Sequence, residues 1–128
     1  CHNPHASNVS ALLSSSQQTM CTKCHFTDVP VKDKAKFMTH VDQDCSICHS
    51  PHGADNERYL VNKDAMALCR TCHEDVHKGS HPMGGEVIDK RTNSTLDCLS
   101  CHKMHGSGQE FYLAFNPDMD LCIQCHKR

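Results

Sequence analysis

The 128-residue sequence has no tryptophan, two tyrosines and four phenylalanines. So few aromatics exclude a conventional core built on large rings, and a chain of this length has little apolar material to replace them. No run of 18 apolar residues occurs, so residues 1–128 hold no candidate spanning helix. No Lys/Arg-rich run of the kind that grips phosphate backbones is present, which argues against nucleic acid as a partner. The formal charge is only −2. Alternating apolar and polar residues are not sustained anywhere, so no substantial sheet is expected. No secretory leader is visible either, and the chain reads as a mature or trimmed form.

Cysteine and histidine are abundant instead, at 11 and 12 residues. Ten of the cysteines fall in one string repeated five times: Cys21-Thr22-Lys23-Cys24-His25, Cys45-Ser46-Ile47-Cys48-His49, Cys69-Arg70-Thr71-Cys72-His73, Cys98-Leu99-Ser100-Cys101-His102 and Cys122-Ile123-Gln124-Cys125-His126. C-x-x-C-H is the attachment signature of c-type haem. Two thiols add across the haem vinyl groups, and the adjacent imidazole takes the proximal side of the iron. The remaining cysteine, Cys1, directly precedes His2, like the second half of a sixth site. Zinc knuckles and redox dithiols also use C-x-x-C but do not require the following histidine. Five chance histidines at that one position have a probability of about 10⁻⁵ at this composition, so haem attachment is the reading.

Six haems would leave only about 21 residues each, so the macrocycles themselves are expected to form the apolar interior. The expected fold is a multihaem cytochrome c, with a few short helices and long loops wrapped round closely spaced haems and no significant sheet. The haem propionates would add to the negative charge. Covalent haem attachment and the cysteine density point to an exported protein, periplasmic or extracellular.

A larger repeat encloses the five sites. His2-Asn3-Pro4-His5-Ala6-Ser7, His49-Ser50-Pro51-His52-Gly53-Ala54 and His102-Lys103-Met104-His105-Gly106-Ser107 align. Each is followed by Leu12-Leu13, Tyr59-Leu60 or Tyr112-Leu113, then by Met20-Cys21, Leu68-Cys69 or Leu121-Cys122. Three two-haem modules result, over residues 1–25, 45–73 and 98–126, with connectors 26–44 and 74–97. Within each, a leading site (His2, His49, His102) precedes a trailing site (His25, His73, His126). The trailing sites read as helical, with Ser15 or Ser16, Asn62 and the Asn116-Pro117 pair as N-terminal signals, and a helix expected over 63–73. Gly53, Gly106, Gly108 and the Gly79–Gly85 stretch suit loops that bring backbone near haem.

Six histidines lie outside the attachment strings: His5, His40, His52, His77, His81 and His105. Their number equals the number of proximal histidines, which predicts imidazole on both faces of most irons. The tight spacing predicts that His5, His52 and His105 each ligate the trailing haem of their own module. His40 is then expected at the Cys45/Cys48 haem and His81 at the Cys98/Cys101 haem. His77 remains for the haem on Cys1, unless that ligand comes from upstream. In that case His77 or His81 is left to serve a neighbouring subunit or another segment. None of the six methionines sits in a ligand-like pattern.

These strings, and the His49-Ser50-Pro51-His52-Gly53 type of sequence, resemble multihaem c-type cytochromes with doubled C-x-x-C-H motifs. That group includes periplasmic electron carriers of respiratory nitrite reduction, outer-membrane conduits and extracellular cytochrome filaments. The resemblance covers essentially the whole chain. It implies electron transfer along a haem chain in anaerobic respiration or extracellular electron transfer, with redox proteins or like subunits as partners, including a homopolymer or larger complex. A filament subunit and, more remotely, a nitrite- or hydroxylamine-type redox enzyme are the alternatives. Catalysis would need an open iron position, and the histidine count leaves none obvious, so no catalytic residue is assigned. The missing first cysteine at Cys1 departs from the pattern and is compatible with a fragment or with a single thioether.

Overall fold

The computed structural model describes residues 1–27, 40–74, 77 and 81–127. Most of the first connector and part of the second, including Gly79, lie outside the described residues. Regular structure is sparse. The α-helices are α1 (Gln17–Cys21), α2 (Ala65–Cys69) and α3 (Asp120–Ile123). A two-stranded antiparallel hairpin joins β1 (Ile88–Asp89) to β2 (Ser94–Thr95), with Ile88 opposite Thr95 and Asp89 opposite Ser94. Single 3₁₀ turns at Ser10–Leu12, Cys45–Ile47, Glu57–Tyr59, Cys98–Ser100 and Glu110–Tyr112 complete the elements among the described residues. No helix among the described residues is long and apolar enough to cross a membrane.

The helices are shorter than the sequence suggests, and their caps explain why. Ser16 caps α1 by accepting a hydrogen bond from the Thr19 amide. At α2 the cap is Asp64, which accepts from Ala67 N at 2.7 Å, so the helix begins at Ala65 rather than at Lys63. A carboxylate is as good a cap as the Asn62 amide, and it stands closer to the apolar run. Asn116 closes a turn on the Asp118 amide at 2.8 Å, and α3 starts later, at Asp120. All three helices run straight into an attachment string. Helices of four or five residues are far below the length that is stable alone, so the attachment strings at their C-terminal ends must fix them.

The apolar interior of the polypeptide is correspondingly small. Only Leu13, Leu60 and Ala65 are buried apolar residues among those described. Phe26, Tyr59 and Phe111 are 68%, 61% and 76% exposed, so the largest apolar groups lie outside any protein core. Burial of this kind contributes a few kcal/mol per side chain at most, far too little to offset the entropy of ordering the chain. Among the described residues, then, the polypeptide supplies little apolar interior of its own.

The same local geometry recurs three times. His2, His49 and His102 form isolated antiparallel bridges to Leu13, Leu60 and Leu113. The next residues, Asn3, Ser50 and Lys103, donate their amides to the carbonyls of Leu12, Tyr59 and Tyr112, each at 2.7 Å. The Ser7 and Ser107 hydroxyls donate to the Leu13 and Leu113 carbonyls. In the middle copy Ala54 has no hydroxyl, and the Asn56 amide donates to the Leu60 carbonyl instead.

Candidate haem sites

Each of the five attachment strings closes into one turn. The histidine amide donates to the carbonyl of the first cysteine at 2.9 Å in all five, from His25 to Cys21 through to His126 to Cys122. A turn this short keeps both thiols and the imidazole within one loop, as two thioethers and a proximal ligand on a single macrocycle would require. None of the eleven cysteines is in a disulfide. Among the described residues, no group of three or more His, Cys, Asp or Glu side chains converges on a metal-ion site.

The leading histidines are held by a device the sequence did not signal. His2, His49 and His102 place Nδ1 at 2.8, 3.0 and 2.6 Å from the carbonyls of Ala11, Arg58 and Phe111. Those carbonyls belong to backbone in the left-handed region. Ala11 and Leu12 have φ of 55° and 54°, Arg58 and Tyr59 56° and 53°, and Phe111 and Tyr112 55° and 58°. Two successive non-glycine residues at positive φ are strained, at roughly 1–2 kcal/mol each. The strain recurs because it turns a carbonyl toward the ring. An Nδ1–H donated to a carbonyl fixes the tautomer and leaves Nε2 as the metal-ligating nitrogen. The Leu12, Tyr59 and Tyr112 positions show in the repeat alignment, but without glycine nothing in the sequence marks their backbone.

Five of the six other histidines stand opposite a histidine that directly follows a cysteine. Ring centres are 5.8 Å apart for His2–His52, 6.0 Å for His40–His73, 5.9 Å for His49–His105, 5.9 Å for His77–His102 and 6.1 Å for His81–His126. Every pair joins one histidine of an attachment site to one outside the strings. A metal–imidazole bond of about 2 Å, plus roughly 1.1 Å from nitrogen to ring centre, separates two axial rings by about 6.2 Å. The residues present therefore fit an iron porphyrin between each pair. Ordinary aromatic contacts span the same distance range, but do not require this one-to-one matching.

The ring pairs differ from the ligand pairing expected from sequence. His52 and His105 face the leading site of the preceding module, not the trailing site of their own. His40 faces His73, not His49, and His81 faces His126, not His102. His77 faces His102, leaving His2 to His52. The turn after each leading histidine explains the reach. Gly53 (φ 106°) and Gly106 (φ 122°) donate to Ser50 and Lys103 carbonyls at 3.2 and 3.1 Å, reversing the chain just past His52 and His105. Their rings are thereby presented away from their own module.

His40 is also packed edge-on to Tyr112, with ring centres 5.0 Å apart. Burial, with His73 nearby, holds its pKa below the usual value, and its buried Nδ1 has no hydrogen-bond partner. A neutral imidazole is the metal-binding form.

The sulfurs mark which sites adjoin. Burial pushes the Cys45 thiol up to about 11, with the Cys21 thiol beside it adding to the shift and hydrogen-bonding to it. Cys69 is raised to about 11 by burial and by Cys98, which also hydrogen-bonds to it. Cys48 is raised by burial and by Cys72, and Cys101 by burial, with Cys125 adding to the shift. Thioethers have no such titration, but the neighbours remain neighbours. The second to sixth attachment sites thus adjoin in sequence order. Side chains lock the steps. Gln17 donates to Ser46 Oγ at 2.9 Å and accepts from its amide at 2.8 Å, and Gln18 donates to the Gln43 carbonyl at 2.7 Å.

The fifth site has an additional brace. Asp97 and Ser100 form a capping box over Cys98–Ser100. Arg91 binds both oxygens of Asp89, at 2.9 and 2.6 Å, and donates to the Ser100 carbonyl at 2.5 Å. Asp89 is 1% exposed, and its hydrogen bonds with Arg91 hold its carboxyl at about 2. At the second complete string Ile47 replaces the boxing serine, and Asp44 makes no capping bond.

The doubled CXXCH motif pattern matches residues 1–29, 39–78 and 92–128. The chain belongs to the doubled CXXCH motif family. Two relatives agree with this. The multiheme cytochrome MtrA of Shewanella baltica (strain OS185) is 29% identical over 100 residues, which is 66% of this chain and 27% of that protein. The cytochrome c-type protein NrfB of Escherichia coli O6:H1 is 27% identical over 86 residues, 57% of this chain and 46% of that protein. The chain thus spans about a quarter and a little under half the length of these relatives. It is a multihaem c-type cytochrome whose doubled motifs bind haem c covalently.

Proposed function

We propose that this chain is an electron-transfer unit holding six c-type haems as three two-haem modules, over residues 1–25, 45–73 and 98–126. Five attachment sites are complete, and the sixth is at Cys1 and His2. The observation that carries this reading is the one-to-one matching of five attachment-site histidines with five others. When bound, haem c supplies a one-electron couple at each iron. Two imidazoles favour a low-spin iron that changes charge without changing ligands, so little rearrangement accompanies transfer. The adjoining sulfurs support a path in sequence order from the second site to the sixth. Catalysis on nitrite or hydroxylamine would need an open axial position, and two-imidazole ligation at the five ring pairs would leave none there. An extracytoplasmic location and redox-protein partners accord with the attachment chemistry.

The test is peptide-level mass spectrometry of the holoprotein together with electron paramagnetic resonance. The expected result is a haem on each of the five C-x-x-C-H peptides and on the peptide carrying Cys1, with low-spin ferric signals. A Cys1 peptide without haem would reduce the count to five. High-spin iron that turns over nitrite would replace the carrier by an enzyme.

A further inference from the structure

Two leading sites carry the same ligand apparatus and differ in one buried pair of charges. His49 and His102 each stand on a left-handed carbonyl, of Arg58 and Phe111, and each faces a second histidine, His105 and His77. An aspartate precedes each string, Asp44 and Asp97. The Cys98/Cys101 string alone touches a buried ion pair among the described residues. Arg91 donates to the carbonyl of Ser100, between the two attachment cysteines, while it holds both oxygens of Asp89. The side chains of Arg91 and Asp89 are 24% and 1% exposed, so water and salt screen them weakly. The Glu57–Arg58 and Lys63–Asp64 pairs are exposed by comparison. No described side chain hydrogen-bonds to the carbonyl of Ile47, which stands where Ser100 does in the other string.

The two charges do not cancel at the site. The guanidinium is bonded directly to the attachment loop, and its charge acts on the Cys101 sulfur more strongly than that of Asp89. It also lies near enough to the Cys125 sulfur to act there. Reduction of a ferric haem adds one negative charge, so a nearby cation favours the ferrous state and a nearby anion the ferric state.

We infer that the Asp89–Arg91 pair sets the reduction potential of the Cys98/Cys101 haem above that of the Cys45/Cys48 haem. Arg91 supplies the positive charge, and Asp89 orients the guanidinium and moderates it. Electrons on the chain then settle preferentially in the third module. This deepens the proposed electron-transfer reading and rests on it.

The experiment is a redox titration of the holoprotein, with dithionite as reductant and each haem resolved by NMR. In the unsubstituted protein the Cys98/Cys101 haem is expected to be reduced before the Cys45/Cys48 haem. Asp89→Asn leaves the cation unmoderated and should raise the Cys98/Cys101 potential. Arg91→Gln leaves the carboxylate and should lower it. Each shift is expected to change the ferrous-to-ferric ratio roughly tenfold, about 59 mV for a one-electron couple. Arg91→Lys keeps the charge and should restore most of what Arg91→Gln loses. A brace with no electrostatic role would move Asp89→Asn and Arg91→Gln the same way, and that result, or no shift in either, overturns the inference. Should a single variant fail to fold, the double variant Asp89→Asn/Arg91→Gln removes both charges. Its Cys98/Cys101 potential should fall toward that of the Cys45/Cys48 haem, and an unchanged value overturns the inference. High-spin iron at Cys98/Cys101 in the unsubstituted protein would remove the two-imidazole reading there, while opposite shifts in the two single variants would still support the pair.

Discussion

His52 faces His2 with ring centres 5.8 Å apart, although each belongs to a different repeat. An iron between them, as proposed, would join the two repeats through one metal position. With so few buried apolar residues among those described, such ligation would supply an alternative source of long-range cohesion. Ligand bonds that form only in the folded chain act as folding free energy.

The first consequence concerns site assignment. His105→Met should give one methionine-ligated iron at the Cys45/Cys48 haem, with a raised reduction potential, and leave the Cys122/Cys125 haem unchanged. Potentiometry with haem-resolved NMR reads both sites. A change at the Cys122/Cys125 haem would restore the within-module pairing and contradict the geometry.

The left-handed carbonyls are a second testable feature. Arg58→Gly removes the steric cost of positive φ and should be neutral or stabilising by up to about 1 kcal/mol. Arg58→Val places a β-branched residue in the same backbone and should destabilise by roughly 1–2 kcal/mol. Denaturant midpoints measure the difference, and resonance Raman of the His49-ligated iron reports whether the Nδ1 hydrogen bond survives. Equal midpoints for the two variants would show that the left-handed turn is absent in solution.

Asp89 gives the pH dependence. Its folded pKa, about 2, lies below the ordinary value of 3.8. The folded state therefore favours the ionised form, and the resulting stability is present above about pH 4. It should fade as pH falls through the window between 3.8 and about 2. Asp89→Asn should lose that part of the acid sensitivity and be less stable near neutrality, because Arg91 loses its charged partner. Unfolding midpoints at pH 6, 4 and 3 for both proteins provide the check. Parallel acid profiles would remove Asp89 from the explanation.

Haem removal should be decisive for folding. With only Leu13, Leu60 and Ala65 as buried apolar residues among those described, the apoprotein should be largely unfolded. Protein made without haem attachment, studied by circular dichroism, should show no cooperative thermal transition. A sharp native-like melt would mean that the polypeptide holds its own core.

Much of this was legible in the residues themselves. The spacing of Cys21 to His25 and its four counterparts fixes the attachment chemistry, because two thioethers and a proximal imidazole need that short loop whatever surrounds it. The scarcity of aromatics, with the cysteine and histidine excess, fixes the kind of fold. The threefold recurrence of histidine, third-position histidine, paired apolar residues and cysteine predicts that one local structure is built three times, and the bridges from His2, His49 and His102 keep that register. The partner of each histidine is a different matter. His52 and His105 sit close in sequence to one haem site and face another, because the turn at Gly53 and Gly106 sets the direction of the ring, and spacing alone carries no direction. Likewise Ala11, Arg58 and Phe111 contain no glycine to announce their left-handed backbone, which only the closure of each module onto its own histidine imposes. Local chemistry is written in neighbouring residues; ligand pairing depends on where distant segments meet.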